Sequence, residues 1–156
     1  MKTYPIMMDV QGKRAVVIGA GSVGRRKVVS LHQAGAVVTL VDPEPPEEID
    51  LPPVTILTEP YSIEQLRGAV MVFACTDNRE LNARVSRDAR LAGAIVNSAD
   101  KNKDCDFFAP ATINDGDVVV AIGTGGASPA LSALLKDILK EAVPEKIGQF
   151  AELLST

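Results

Sequence analysis

Apolar positions along the chain switch between short unbroken runs and helical spacing, and that alternation predicts a mostly parallel α/β sheet. Ala15-Val16-Val17-Ile18 reads as a buried strand, and residues 23–34 as the helix after it, stopped by Gly35. Residues 36–41 form a second strand with Asp42 at its end. The stretch 43–53 is acidic and too broken by proline for regular structure. Val54-Thr55-Ile56-Leu57 is a short third strand, and Ser62 with Gln65 fits a capping box for a brief helix. Val70-Met71-Val72-Phe73-Ala74 is a fourth strand. Asp77 and Glu80 have helix-start spacing, and Leu81, Val85, Ala89 and Ala92 fall on one face of the helix that follows. Ala94-Ile95-Val96 is a fifth strand, ending at Asn97.

The pattern changes after Asn97. Residues 98–106 are a polar, charged connection. Residues 107–113 and 118–122 read as two strands joined by Asn114-Asp115-Gly116-Asp117, where Asp-Gly would supply the positive φ angles of a tight hairpin turn. Gly123-Thr124-Gly125-Gly126 then leads to Ser128-Pro129, an N-cap serine followed by proline at the first helical position. Leu131, Leu134, Leu135, Ile138 and Leu139 make an apolar stripe, and Ile147, Phe150, Ala151 and Leu154 have helical spacing after Pro144. The expected organisation is a doubly wound Rossmann domain over residues 1–109. A hairpin-plus-helix segment over residues 110–156 follows, too small to bury a core alone. It is expected to pack on the first domain or, in preference, on a second copy of itself.

Composition narrows the function classes. With 156 residues, 46% of them hydrophobic, the chain supports one well-buried domain and a small appendage. The net charge of −4 gives no whole-chain footprint for nucleic acid, so an anionic ligand has to be held by local features. Cys75 and Cys105 form neither a CxxC pair nor a zinc spacing, and read as two reduced thiols. The start lacks the apolar core of a secretory signal, and no apolar run reaches membrane-spanning length. A cytoplasmic protein without membrane or nucleic-acid partners is expected.

Gly19-Ala20-Gly21-Ser22-Val23-Gly24 is a GxGxxG turn between a buried strand and a helix. Alone the motif is weak, but that context makes it a dinucleotide fingerprint. Gly19 permits the tight turn, Gly21 lets backbone amides approach a pyrophosphate, and Gly24 lets the helix pack close to the strand. Ser22 and Val23 open the helix whose N-terminus faces the phosphates. Asp42, at the end of the second strand, stands where a carboxylate meets the adenosine ribose. The loop behind it holds Glu44, Glu47, Glu48 and Asp50, and no Lys or Arg occurs before Arg67. A ribose 2′-phosphate would meet only like charge, so NAD is expected over NADP. Thr76 and Asp77 lie at the carboxyl edge of the sheet, where such folds bind ligands, although Asp77 also reads as a plain helix cap. Asn97 ends the fifth strand, near where a nicotinamide would lie.

Candidate chemistry is sparse. No Tyr-x-x-x-Lys pair is present, since Tyr4 is followed four residues later by Met8, and Tyr61 by Gln65. The single histidine, His32, reads as a surface residue near the C-terminus of the first helix. The polar cluster Asn97-Ser98-Ala99-Asp100 offers a carboxylate at the nicotinamide end of the cleft. Asp100 there is either a solvated loop residue or a base that takes a proton while a hydride leaves. The turn at Gly125 is either a flexible helix start or a cradle for carboxylates.

Taken together, these residues resemble the precorrin-2 dehydrogenase family, which also forms the first module of sirohaem synthases. The resemblance rests on Tyr4-Pro5-Ile6, on residues 17–24 with Arg26-Lys27, and on Ala74-Cys75-Thr76-Asp77-Asn78. Asn97-Ser98-Ala99-Asp100, Phe107-Phe108-Ala109-Pro110-Ala111 and Gly125-Gly126-Ala127-Ser128-Pro129 complete it. It implies NAD-dependent oxidation of precorrin-2 to sirohydrochlorin and a homodimer built through the segment after Pro110. It implies that Asp100 is the essential carboxylate and general base. Some members also insert iron into sirohydrochlorin, and there too Asp100 is implicated. Thr124, with Gly125, matches a position near the tetrapyrrole, and Arg25, Arg26, Lys27, Lys101 and Lys103 are candidate partners for its acid groups. The helical part after the dimerisation region is expected to be short, and the methylations that make precorrin-2 to belong to another protein. An alternative is an NAD-sensing regulatory domain of the kind that gates potassium channels; a third reading is a chelatase first of all.

Overall fold

The structure is a computed structural model that describes residues 3–48, 50–100 and 104–154. The chain forms two compact units, one of residues 6–107 and one of residues 108–154 with residues 3–5.

The larger unit is a five-stranded parallel sheet in the order β3-β2-β1-β4-β5. Its strands are β1 (Arg14–Ile18), β2 (Val37–Val41), β3 (Thr55–Leu57), β4 (Met71–Ala74) and β5 (Ile95–Ser98). Helices α1 (Ser22–Gln33) and α2 (Arg79–Leu91) connect them, with a 3₁₀ turn at Ile63–Leu66. The period of two along each strand sorts side chains to opposite faces. Val17, Leu40 and Phe73 join Val28 and Leu31 of α1 in one core cluster. Val16, Ile18, Val72 and Val96 join Val85 and Ala89 of α2 in the other. A sheet covered on both faces needs unbroken apolar strands, which is why the runs carry so few polar residues. Val16, Val17, Val72 and Val96 are fully buried. Each such side chain contributes about 1.5–3 kcal/mol on leaving water.

The Ser62–Gln65 pairing is present, with the Gln65 side-chain oxygen accepting from the Ser62 N–H at 2.9 Å. The start of α2 is set one residue later than the sequence suggests. Asn78, not Asp77, is the N-cap, and its side-chain oxygen accepts from the N–H groups of Glu80 and Leu81 at 3.0 Å each. The buried face of α2 is also rotated. It carries Asn82, Val85, Ser86 and Ala89, while Leu81 is half-buried and Ala92 is the exposed C-cap. The expected face counted only apolar residues and so passed over two buried polar ones.

At the outer edge of β5 the connection that read as merely polar is clamped. Asp106 pairs with Val96 through two bonds, its N–H to the Val96 carbonyl at 2.7 Å and its carboxylate from the Val96 N–H at 3.0 Å. Arg90 holds the same carboxylate at 2.8 Å. The Cys105 thiol accepts from the Ser98 N–H at 3.2 Å and donates to the Ser98 carbonyl at 3.3 Å. An aspartate thus does at this sheet edge what a neighbouring strand would do.

The smaller unit is an antiparallel hairpin, β6 (Ala111–Asp115) and β7 (Val118–Ile122), followed by α3 (Pro129–Ala142) and α4 (Ile147–Leu154). The first strand begins only at Ala111, after Pro110, whose ring nitrogen has no proton for a ladder. Asp115 pairs with Val118, so the loop is Gly116-Asp117. Of these residues Gly116 alone has positive φ, at 54°. Glycine at the first loop position, not the Asp-Gly pair, therefore supplies the turn. Ser128 caps α3 as expected, accepting from the Leu131 N–H at 3.1 Å. The turn crosses the start of α4, where a Cβ on Gly148 would lie 2.3 Å from the Asp115 carbonyl oxygen. The apolar stripe of α3 does form, and it is exposed, with Leu134 and Ile138 each at 56%.

Candidate functional site

The sheet order reverses between β1 and β4, which places a crevice beyond their carboxyl ends. The glycine turn sits there. Gly19 has φ +104°, and a Cβ on it would lie 2.6 Å from the Cys75 carbonyl oxygen. A Cβ on Gly24 would lie 1.9 Å from the Gly19 carbonyl oxygen. Gly21 is different, since a Cβ there meets nothing within 4 Å. Gly19 and Gly24 are thus demanded by the fold itself, whereas the bare backbone at Gly21 faces open space.

The N-terminus of α1 has no capping side chain and no acid in its first turn. Asn78 and Ser128 cap α2 and α3, and at α4 the Asp115 carboxylate accepts from the Gly148 N–H at 3.0 Å. The start of α1, at Ser22 and Val23, keeps its donors and its positive dipole end for an anion. A pyrophosphate fits this place, with Gly21 giving room for its approach.

Asp42 sits beside the turn and braces it. One carboxylate oxygen accepts from the Ala20 N–H at 2.6 Å and the other from the Glu44 N–H at 2.9 Å. It lines a cavity of about 280 Å³ with Gly19, Pro43, Tyr61, Thr76 and Arg84. Arg84 corrects the charge argument drawn from the loop. No basic residue comes from the loop, but α2 delivers one from across the fold. Its charge is met by Asp88 at 3.5 Å, and its guanidinium lies 5.4 Å from the centre of the Tyr61 ring. The Tyr61 hydroxyl donates to Asp88 at 2.9 Å. Burial, together with that carboxylate, pushes the Tyr61 hydroxyl well above the usual tyrosine pKa.

Thr76 and Asp100 are brought together by Asn82, which the sequence reading did not select. The Asn82 side-chain oxygen accepts from the Thr76 N–H at 3.1 Å and from the Thr76 hydroxyl at 2.8 Å. Its amide nitrogen donates to the Thr76 carbonyl at 2.7 Å and to the Asp100 carboxylate. Asp77 is exposed beside this network. Asn97 lies within β5 rather than at its end. Its amide donates to the Phe107 carbonyl at 2.9 Å, where it helps hold the returning chain.

The basic residues of α1 do not act as one group. Lys27 turns toward β4, its ammonium 5.5 Å from the centre of the Phe73 ring, against which Phe107 packs edge-on at 5.4 Å. Burial pulls the Lys27 pKa below the usual lysine value, while the neighbouring Cys75 acts in the opposite sense. Burial likewise pushes the Cys75 thiol up to about 11. Arg25 and Arg26 turn the other way and line a cleft of about 700 Å³ with Ser22, Asp50 and Leu51. A helix advances each residue by about 100°, so three consecutive cations cannot share one face. Lys101 and Lys103 lie outside the described residues. In the smaller unit the Thr124 hydroxyl is engaged within its own turn, donating to the Ser128 carbonyl and accepting from the Ser128 N–H, both at 3.1 Å. Gly125 has φ 62°, which that turn requires. His32 lies in the last turn of α1. Among the described residues no group of three His, Cys, Asp or Glu side chains converges on a metal site, and no helix is long and apolar enough to cross a membrane.

Comparison with known proteins matches this arrangement. Residues 6–111 match the family model described as "Putative NAD(P)-binding". The chain belongs to this NAD(P)-binding family. The siroheme synthase of Nitrosococcus oceani is 35% identical over 158 residues, covering 97% of this chain and 34% of that protein. The siroheme synthase of Methylobacillus flagellatus is 36% identical over 155 residues, covering 97% and 33%. The chain therefore spans about a third of the length of these curated relatives. A solved structure named "SirC, precorrin-2 dehydrogenase" shares the fold, with a TM-score of 0.72 and 24% identity over 98% of this chain and 77% of that one. The expected resemblance to siroheme synthases thus holds across nearly the whole chain, hairpin and α3 included.

Proposed function

We propose that this chain is an oxidoreductase of sirohaem biosynthesis that converts precorrin-2 to sirohydrochlorin with NAD. The observation that carries this reading is the placing of Asp100. It is held by Asn82 to the Thr76 backbone, in the same unit and at the same sheet edge as the uncapped glycine turn. The reaction removes two hydrogens from the tetrapyrrole. The bound cofactor supplies the hydride acceptor, giving NADH. Asp100 takes the remaining hydrogen as a proton and releases it to solvent, and the electron pair left behind forms the new double bond. Asp42 holds the ribose end, and the α1 N-terminus holds the pyrophosphate. Lys27 is a half-buried cation for a substrate carboxylate near the reacting end. Arg26 is offered to the substrate's outer acid groups.

NAD is favoured over NADP. Asp42 and the loop acids oppose a 2′-phosphate, and Arg84, the cation lining the ribose cavity, is already paired with Asp88. Purified protein with precorrin-2 and NAD should yield NADH and sirohydrochlorin in equal amounts. No turnover at saturating NAD, or tighter binding of NADP than of NAD, would refute these two assignments in turn. Iron insertion into sirohydrochlorin, the further activity implied for some members, would call on the same Asp100 and is read by adding ferrous iron to the product.

The smaller unit supplies a homodimer interface. Leu134, Ile138 and Phe150 are 56%, 56% and 61% exposed, and a run of exposed apolar side chains at helical spacing marks an interaction face. A second copy presenting the same face provides the cover. Sedimentation of the full chain should give a dimer, and Leu134→Glu with Ile138→Glu a monomer. A monomeric parent would remove the interface.

A further inference from the structure

Asn82 stands out as a polar residue on the core-facing side of a helix. It is 1% exposed, between Val85 and the carboxyl end of β4. Burying an amide is tolerable only when its donors and acceptor are met. Here both amide hydrogens are used, one on the Thr76 carbonyl and one on the Asp100 carboxylate, and the oxygen takes two bonds from Thr76. The orientation is therefore fixed. A flipped amide would set its oxygen against the Thr76 carbonyl and the Asp100 carboxylate and its hydrogens against the Thr76 N–H. Three of the four bonds tie Asn82 to the loop that follows β4. The fourth reaches the segment that follows β5.

That fourth bond is hard to explain by folding alone. The end of β5 is already fixed without it, because the Ala99 N–H donates to the Ala74 carbonyl at 2.9 Å and Asp106 and Cys105 clamp the return of the chain. Asp100 itself is an exposed side chain on a loop, free to rotate unless something holds it. Asn82 is the rigid point in reach, since its own rotamer is locked by Thr76 and by the first turns of α2. The Asn78 cap sets the start of that helix and hence the height of Asn82 above the sheet edge. A general base acts only from within hydrogen-bond reach of the proton it takes, so a rotating carboxylate loses most of its effect.

We propose that Asn82 is the positioning residue of this enzyme. By this assignment it holds one oxygen of the Asp100 carboxylate, presents the other to the substrate, and fixes both relative to the Thr76 loop at the cofactor edge. The proposal rests on the reading of Asp100 as the base. It also assigns a task to the sequence Leu81-Asn82-Ala83 that its apolar periodicity does not.

The test uses the full chain with precorrin-2 and saturating NAD. Asn82→Asp keeps the shape and the oxygen that accepts from Thr76, but puts an acceptor oxygen where the amide nitrogen donates to Asp100 and to the Thr76 carbonyl. It is expected to lower kcat about 10²-fold, the cost of misplacing a reacting group by an ångström. NAD affinity and the KM for precorrin-2 are expected to hold. In an Asp100→Ala background the same substitution should change kcat by no more than about twofold, the scatter expected of uncoupled sites. Asn82→Ser, which removes the carboxamide and with it the contacts to both Thr76 and Asp100, is read in the same two backgrounds should the aspartate variant not fold. The proposal is overturned if kcat is unchanged with Asp100 intact. It is also overturned if Asn82→Asp costs as much with Asp100 removed, because the effect then runs through Thr76 and the cofactor. Full turnover by Asp100→Ala alone would instead overturn the base assignment, and the role of Asn82 with it.

Discussion

Asp100→Ala is expected to retain NAD binding and to lose about 10²–10⁴-fold in the turnover of precorrin-2, the range contributed by a positioned acid–base group. The loss should fall on kcat, because the side chain lies apart from the groups that hold the cofactor. Gly19, Asp42 and the start of α1 are untouched by the substitution, and the end of β5 keeps its Asp106 clamp. Removing the carboxylate leaves one Asn82 hydrogen without an acceptor, at a cost of about 1–3 kcal/mol if water cannot replace it. Asp100 is exposed, so water can take that place and the melting temperature should hardly move. Titration with NAD followed by steady-state kinetics separates the two effects. Unchanged turnover would remove Asp100 from the mechanism, and lost NAD affinity would make it a cofactor residue instead.

Gly24→Ala should act on the fold and the cofactor together. The added methyl would stand 1.9 Å from the Gly19 carbonyl oxygen and 3.4 Å from Val17. The oxygen belongs to the backbone of the same turn and cannot swing aside, so α1 has to lift from β1. Overpacking of this kind costs about 1–3 kcal/mol. At about 2–4 °C per kcal/mol for a chain of this size, Tm should drop by several degrees. The lifted helix also misdirects its N-terminal donors, so the stabilisation by added NAD should vanish. Gly21→Ala is the control, because a Cβ there meets no atom within 4 Å and φ is −64°. That variant should melt like the parent and still fail to bind NAD, its methyl filling the space of the pyrophosphate. Thermal scans with and without NAD read both. A Gly24→Ala protein with the parent's Tm and NAD response would show that the helix does not pack as the structure has it.

Much of this was written along the chain. Five apolar runs, each closed by a turn, were enough for a doubly wound sheet, because a strand buried on both faces tolerates few polar residues. Gly19 and Gly24 were equally legible, as the fingerprint states a steric demand that the fold then imposes. Asp42 could be placed because the end of β2 is fixed by the strand before it. These are local rules, in which each residue answers to neighbours a few positions away.

What stayed out of sight depends on contacts distant in sequence. Nothing around Tyr61 or Arg84 marks them as neighbours of Asp42, since the sheet order brings them there. The cap of α2 falls on Asn78 rather than Asp77 by the phase of one helix, and that same phase turns Asn82 inward and Ala92 outward. Arg25 and Lys27, near neighbours in the chain, part company because a helix rotates them to opposite flanks. Asp106 reads as one more charge in a polar loop until the edge of β5 needs a partner. The sequence alone determined where the glycine turn would close between β1 and α1, because the demand for glycine at positions 19 and 24 is steric and local. Which side chains meet at the site was decided only by the tertiary structure, because hydrogen bonds and charges act through space between elements whose order along the chain does not reveal their distance.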